Sequence, residues 1–263
     1  MTTHTKTYRL CAVLVTTIMA AACGTNPVQV LPTDSLEASR VKFFNFGVNA
    51  PGVNFYADDV KMTAILSSTG SEATTGVTYG SVGNGGAYSQ IAPGAYTMTG
   101  RIAAATDKDL PIASISTTIA DGKRYSLYMS GFYNTTAKTS DGFVVEDAYP
   151  AQIDYSVAQV RLVHAIANAN ALTLYRRPSA DTTAAWVAIG GPVSYKGAGA
   201  FTNVPMGVYD LAARYTDSTT SKIVRTGVTL AGGRVYTVGA RGDITITSTT
   251  ATNRPFLDNT PNY

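Results

Sequence analysis

Beyond the N-terminal leader the chain holds one histidine, His164, in the stretch VRLVHAIANANALTLY (160–175). A lone imidazole has the chemistry of a general base or a metal ligand. No cysteine follows Cys23, so a zinc site of the His/Cys type cannot be assembled from a single chain. Two adjacent acid pairs, Asp58-Asp59 and Glu146-Asp147, have the residue types for glycoside hydrolysis, which places two carboxyls roughly 5 to 10 Å apart across a cleft. Neighbours on a strand point to opposite faces, so both pairs read as solvated turn acids. Trp186, in AAWVAIGG, and Tyr195 have rings able to stack on a sugar face, although filling a core is the commoner fate of a Trp. GNGG (83–86) and GAGA (197–200) read as flexible hairpin loops, because no helix follows either to complete a phosphate site. Arg241-Gly242-Asp243 spells an adhesion tripeptide but falls at a strand end. These residues assign no catalytic group, cofactor or metal.

The elements that must position these residues occur twice. VKFFNFGVNAPGVNFY (41–56) aligns without a gap on VRLVHAIANANALTLY (160–175), AYSQIAPGAYTM (87–98) on AFTNVPMGVYDL (200–211), and TIADGKRYSL (118–127) on TLAGGRVYTV (229–238). GFVVEDAYP (142–150) has its counterpart in RPFLDNTPNY (254–263). The first three offsets, 119, 113 and 111 residues, fall in order, which marks one duplicated unit with small deletions in the second copy. Units of about 110 residues are each large enough to bury a core of their own.

Within each unit, short alternating runs of β-branched and aromatic residues are broken by clusters such as APGAY, ADG and AGG. About seven strands per unit, with no sustained 3.6-residue period, predict an all-β chain of two tandem immunoglobulin-like β-sandwich domains, 39–157 and 158–263. Tyr96 and Tyr209, each two residues after a turn glycine, sit where the tyrosine corner of such sandwiches falls. Two-residue alternation puts Tyr96 with Met98, Tyr125 with Leu127, Tyr209 with Leu211 and Tyr236 with Val238 on core faces. His164 stands where the first copy has Asn45. Asn and His share little acid–base chemistry, but each can bond a loop backbone. His164 therefore reads as a structural residue.

The duplicated series V-[KR]-h-h-[NH] (h, a large apolar residue), a loop with Asn-Ala or Ala-Pro, a strand ending in Tyr, Tyr-[GK]-x-x-G, [AP]-x-G-x-Y and [IL]-A-x-G-x-x-Y resembles the bacterial "domain of unknown function 4397" family. The resemblance spans the chain from about Arg40, twice. It implies exported or surface-anchored immunoglobulin-like repeats with no established activity and no catalytic residues to transfer. The family's Ser-Pro-Asp-Ala-Pro loop is reduced here to VNAP (48–51) and IANAN (166–170), which puts any binding role of that loop in doubt.

Residues 1–9 carry Lys6 and Arg9 and no acid, residues 10–22 are uncharged, and small residues lead up to Cys23. That is the layout of an export signal, and thirteen uncharged residues fall short of the ~20 of a spanning helix. The end of the run resembles the lipobox of bacterial lipoproteins, which implies cleavage after residue 22 and acylation of Cys23. Ala20 stands where Leu is preferred, and Ala20-Ala21-Ala22 equally fits ordinary cleavage and secretion. Gly24, in place of Asp, implies the outer membrane, and 23–38 reads as the lipidated Cys and an extended tether. Without the leader's Lys6 and Arg9, 18 of the 20 basic residues face 17 acids. Residues 39–157 have 8 basic and 10 acidic side chains, net −2; residues 158–263 have 10 and 5, net +5. The basic residues are scattered along strands as on a solvated face, with no run beyond Arg176-Arg177, which argues against nucleic acid. The expectation is a cell-envelope lipoprotein, bound to the membrane through its N-terminal lipid, serving as a non-catalytic binding or scaffold module for an envelope polysaccharide or protein. A carboxylate-based polysaccharide hydrolase and a surface adhesin are the alternatives.

Overall fold

In the computed structural model, the described residues are 39–65, 71–150 and 152–262. The signal peptide, Cys23 and the tether lie outside them. The first copy contains β1 (Arg40–Asn45), β2 (Val53–Ala57), β3 (Val60–Lys61), β4 (Ser81–Val82), β5 (Ser89–Gln90), β6 (Gly94–Ile102), β7 (Pro111–Ile119), β8 (Arg124–Asn134) and β9 (Thr139–Glu146). One of its sheets runs β4-β1-β8-β9, with β5 also on β1, and the other β3-β2-β6-β7. The second copy contains β10 (Val157–His164), β11 (Leu172–Pro178), β12 (Val187–Val193), β13 (Gly197–Ala198), β14 (Thr202–Pro205), β15 (Gly207–Tyr215), β16 (Ile223–Leu230), β17 (Val235–Arg241) and β18 (Phe256–Pro261). Its sheets run β13-β10-β17-β18, with β14 also on β10, and β12-β11-β15-β16. The copies are immunoglobulin-like sandwiches with matching strand order. In each, the first strand runs parallel to the strand beside it, β1 to β8 and β10 to β17, among otherwise antiparallel pairs.

Alternation decides what each strand buries. Val41 and Phe43 of β1 meet Phe55, Met98, Leu127 and Met129 in the first core. Val160 and Leu162 of β10 meet Leu174, Leu211 and Val238 in the second. Each such side chain contributes about 1.5 to 3 kcal/mol through burial. The tyrosine corner is present twice: Tyr96 donates its hydroxyl to the Ala92 carbonyl at 3.0 Å and Tyr209 to Pro205 at 2.9 Å. A second tyrosine pair is also duplicated, since Tyr125 and Tyr236 accept the amides of Ala120 and Ala231, both at 3.2 Å. All four fasten a strand to the turn before it.

The opposite faces of β1 and β10 are also buried, because the two sandwiches pack through them. Phe44, Phe46, Tyr128 and Phe143 of the first copy form an apolar cluster with Val163 and Ala165 of the second. The described residues thus fall within one compact unit. Lys42 and Arg161, which alternation places beside this cluster, are 1% and 2% exposed, so the solvated-face expectation fails at both.

Their contacts follow an approximate two-fold relation between the copies. Lys42 donates Nζ to the Pro261 carbonyl at 2.8 Å and to Asn262 Oδ1 at 3.2 Å, at the end of β18. Arg161 donates Nη1 to the Glu146 carbonyl at 2.8 Å and Nη2 to the Asp147 carboxylate, at the end of β9. Ser126 donates to Asp147 at 2.8 Å, and Asn262 donates to Thr237 at 2.7 Å. Lys42 lies 4.4 Å from the Tyr88 ring centroid, and Arg161 lies 4.6 Å from that of Phe201. In the aligned repeats Lys42 answers to Arg161, and Tyr88 to Phe201; strand register pairs Ser126 with Thr237 and Asp147 with Asn262.

Size is not shared equally across this seam. Phe44 stacks on Tyr128 at 4.5 Å and Tyr128 on Phe143 at 5.1 Å, whereas the corresponding positions of the second copy are Val163, Gly239 and Asp258. A Cβ on Gly239 would lie 2.7 Å from the Phe46 ring. Gly239→Ala should therefore displace Phe46 and cost about 1 to 3 kcal/mol in denaturant unfolding; unchanged stability would mean that the seam is looser than described. Asp147→Ala leaves Arg161 buried without its anion. It should cost about 3 to 5 kcal/mol by the same measurement, and a loss below 1 kcal/mol would rule out a buried ion pair.

Candidate functional site

His164 is fully buried at the end of β10. Its Nδ1 accepts the Ile166 amide at 3.2 Å, which leaves the proton on Nε2 to be donated to the Asn170 carbonyl at 3.1 Å. Asn45 makes the same two bonds: Oδ1 accepts the Gly47 amide, and Nδ2 donates to the Pro51 carbonyl, both at 3.2 Å. Imidazole and amide thus serve one task, closing the loop after the first strand. Burial holds the imidazole below its usual pKa of 6.5, with the Asn170 carbonyl pulling the other way.

The other sequence candidates are dispersed. Asp58 caps the Thr97 amide at 2.9 Å and Asp59 pairs with Arg101 at 3.0 Å. Glu146 pairs with Lys123 at 2.9 Å, whereas Asp147 is buried in the seam and is no solvated turn acid. The expected flexible loops are ordered differently. GNGG forms a short 3-10 turn whose Asn84 donates to the Met62 carbonyl at 2.9 Å, and Gly197 and Ala198 pair with β10 as β13. Arg241 is bound to Asp258 and lies over the Tyr79 ring, while Asp243 accepts from Thr245 and Asn168, so the tripeptide is tied down by its neighbours. Tyr195 belongs to the seam. Its hydroxyl meets Ser130 at 3.0 Å and donates to Asp141 at 3.2 Å, and its environment pushes its pKa up to about 12, chiefly through burial.

Trp186 is not in the core. It sits partly exposed just before β12, on the outer face of the β12-β11-β15-β16 sheet, with the whole second core between it and the Tyr195 seam. Two guanidinium groups lie over its ring, Arg177 at 4.6 Å and Arg214 at 5.1 Å, and Arg214 also lies 4.8 Å from the Tyr175 ring. Thr173, Tyr175 and Arg177 alternate outward on β11 opposite Arg214, Ala212 and Asp210 on β15, which gathers the group on one face. Arg177 pairs with Asp210 at 3.3 Å and donates to the Thr182 carbonyl at 2.7 Å. Asp210 also accepts Ser179 at 2.7 Å, and this bond, more than the Arg177 charge, holds its carboxyl below the usual range.

The first copy has the same pair on its own outer face: Arg101 lies 4.3 Å from the Tyr56 ring, and alignment and register make these two the counterparts of Arg214 and Tyr175. There, acids close it off. Asp59 takes Arg101, Asp109 accepts the Tyr56 hydroxyl at 3.2 Å, and Glu72 takes the neighbouring Lys61 at 2.8 Å. In the second copy Arg177-Pro178 stands in place of Asp58-Asp59, and Arg214 is held by neutral groups, the two rings and the Ser221 hydroxyl at 3.2 Å. Among the described residues no carboxylate pairs with Arg214. Sequence reasoning singled out Trp186 as a ring able to stack on a sugar face, but missed Tyr175, Arg177 and Arg214. The loss of an acid pair from an otherwise repeated segment was the signal that pointed to them.

A family model described as "Domain of unknown function (DUF4397)" matches residues 39–175 and again 158–262. The chain belongs to the DUF4397 family. The two matches overlap over β10 and most of β11, where the opening motif of a DUF4397 copy recurs. No curated protein matches the chain. Among solved structures, a family 26 carbohydrate-binding module of Eubacterium rectale in complex with maltoheptaose is 10% identical, with a TM-score of 0.23, covering 85% of this chain and 95% of the module. A leucine-rich repeat protein of Bacteroides thetaiotaomicron is 9% identical, with a TM-score of 0.21, covering 78% of this chain and 26% of its own length.

The geometry at His164 fixes a pH dependence. The fold favours the neutral ring, so the stability it contributes is complete above about pH 6.5 and is lost as the pH falls below that value toward the lower pKa of the folded state. His164→Asn should melt like the wild type at pH 8 and lose less stability than the wild type at pH 5; equal acid losses would mean that the imidazole is not held neutral.

Proposed function

We propose that this DUF4397 protein is a lipid-anchored, non-catalytic binding and scaffold module of the bacterial cell envelope. The observation that carries this reading is the seam. Its buried cations and stacked rings hold the two sandwiches as one body, and the sheets left on the outside each carry an arginine stacked on a tyrosine. A fixed body on which the second copy's pair is left unclosed by acids, while Asp59 takes Arg101 in the first, suits the capture and display of envelope polymers. The anchor rests on the N-terminal sequence alone: Cys23 takes the lipid and residues 24–38 form the tether, which at ~3.3 Å per residue reaches at most about 50 Å from the membrane. Several acyl chains hold a protein stably where one does so only marginally.

Two measurements test this together. The wild type should fractionate with outer membranes and take up a palmitate analogue, and Cys23→Ala should lose the label; a soluble, unlabelled wild type would mean simple secretion. Mixed with total envelope polysaccharide, the full-length protein should co-sediment without releasing reducing ends. Release of reducing ends would mark a hydrolase, and a failure to sediment would remove polysaccharide as the partner.

A further inference from the structure

The outer face of the second copy holds a cation whose surroundings do not neutralise it. Arg214 is 9% exposed, yet among the described residues its hydrogen-bond and ring partners are all neutral: the Tyr175 and Trp186 rings and the Ser221 hydroxyl. Arg177 shares the Trp186 ring, pairs with Asp210 and also feels the charge of Asp181. Both acids answer to Arg177, so Arg214 is the guanidinium left without a carboxylate partner among the described residues, in a copy whose net charge is +5. At the matching place in the first copy Arg101 is met by Asp59, with Glu72 and Asp109 beside it. The chain therefore carries both forms of one duplicated arrangement, one closed by its own acids and one open. Trp186 occurs only on the open face, where it adds an aromatic surface beside the cations.

We infer that the Tyr175, Arg177, Trp186 and Arg214 face binds an acidic polysaccharide, a chain of uronate residues. This rests on the binding-module reading and names the ligand of one of its faces. A pyranose ring offers an apolar C–H face to the exposed part of Trp186. A carboxylate on that ring reaches the guanidinium forks, whose planar donors match it in two-point fashion, and supplies the counter-charge that Asp59 provides in the first copy. A neutral glycan leaves Arg214 unanswered, and a polyanion without sugar rings leaves Trp186 unused. Charge complementarity and an aromatic platform together select the uronate chain.

The test uses the full-length protein with polygalacturonate, neutral dextran and inorganic polyphosphate as probes, in equilibrium binding by titration calorimetry. Polygalacturonate should bind, dextran and polyphosphate should bind at least tenfold more weakly, and raising salt from about 0.05 to 0.5 M should weaken binding. Trp186→Ala and Arg177→Gln should each weaken polygalacturonate binding roughly tenfold with the melting temperature retained. Arg101→Gln, on the closed face, should bind as the wild type does. Arg177 is part-exposed and its partner Asp210 keeps Ser179, so Arg177→Gln decides the matter if Trp186→Ala fails to fold. Dextran binding as tightly would overturn the role of charge, and polyphosphate binding as tightly that of the ring. Polygalacturonate binding unchanged in both variants, or weakened equally by Arg101→Gln, would overturn the site while leaving a polysaccharide-binding protein. No polygalacturonate binding by the wild type overturns the inference, whereas sedimentation with total envelope polysaccharide judges the broader reading separately.

Discussion

Two cations, Lys42 and Arg161, are buried between the sandwiches, and the rest of the architecture answers to them. Removing an ion from water costs several kcal/mol unless partners replace its hydration. Arg161 has a full carboxylate, Asp147, together with the Glu146 carbonyl. Among the described residues Lys42 has no paired carboxylate, but a carbonyl, an amide oxygen and the Tyr88 ring, and burial pushes its pKa down to about 8. Asp147 pulls that value up while Arg161 pulls it down, so one carboxylate serves both cations. Lys42 also reaches across 220 positions to Asn262, which ties β1 to the residue that follows β18. Neither sandwich completes its own seam face without the other's final strand.

This constraint explains where variation is tolerated. The seam faces of the β1 and β10 sheets are bound by the need to pair every buried charge, and the core faces by packing. The outer faces are less tightly bound by either, and it is there that the copies have drifted apart in charge: acids surround Tyr56 and Arg101, and a tryptophan and a second arginine surround Tyr175 and Arg214. A rigid interior thus leaves chemistry to the outer sheets, where it can change without endangering the fold.

Much of the fold was legible because duplication gave each motif an internal control. Asn45 beside His164 disclosed a structural role before any geometry was known, and alternation after each turn glycine located the core tyrosines. The seam was hidden because VKFFNF and VRLVHA bury both faces of a strand, so alternation assigns one set to a core and says nothing of what covers the other. The cation repeated at the second position of each run was the visible trace, and scattered charges on strands are ordinarily solvated. Asp147 was misread for a related reason: its neighbour Glu146 is a surface acid, and adjacent residues on a strand lead to different environments. Trp186 was misplaced because residue type says how much a side chain gains by burial, whereas its place next to an edge strand left only the outer face available.

The approximate two-fold relation sets a limit on how many copies can assemble. A head-to-tail contact leaves a free face at each end and can be extended, whereas a contact in which each unit offers the same face is used up by two. The seam is of the second kind, and its unequal halves sharpen it. Two first copies would drive Phe44, Phe46 and Tyr128 against one another, and two second copies would leave a hollow between Gly239 and Ala165. The valence of the assembly is therefore one per copy, and a third copy added to this chain would find no vacant partner.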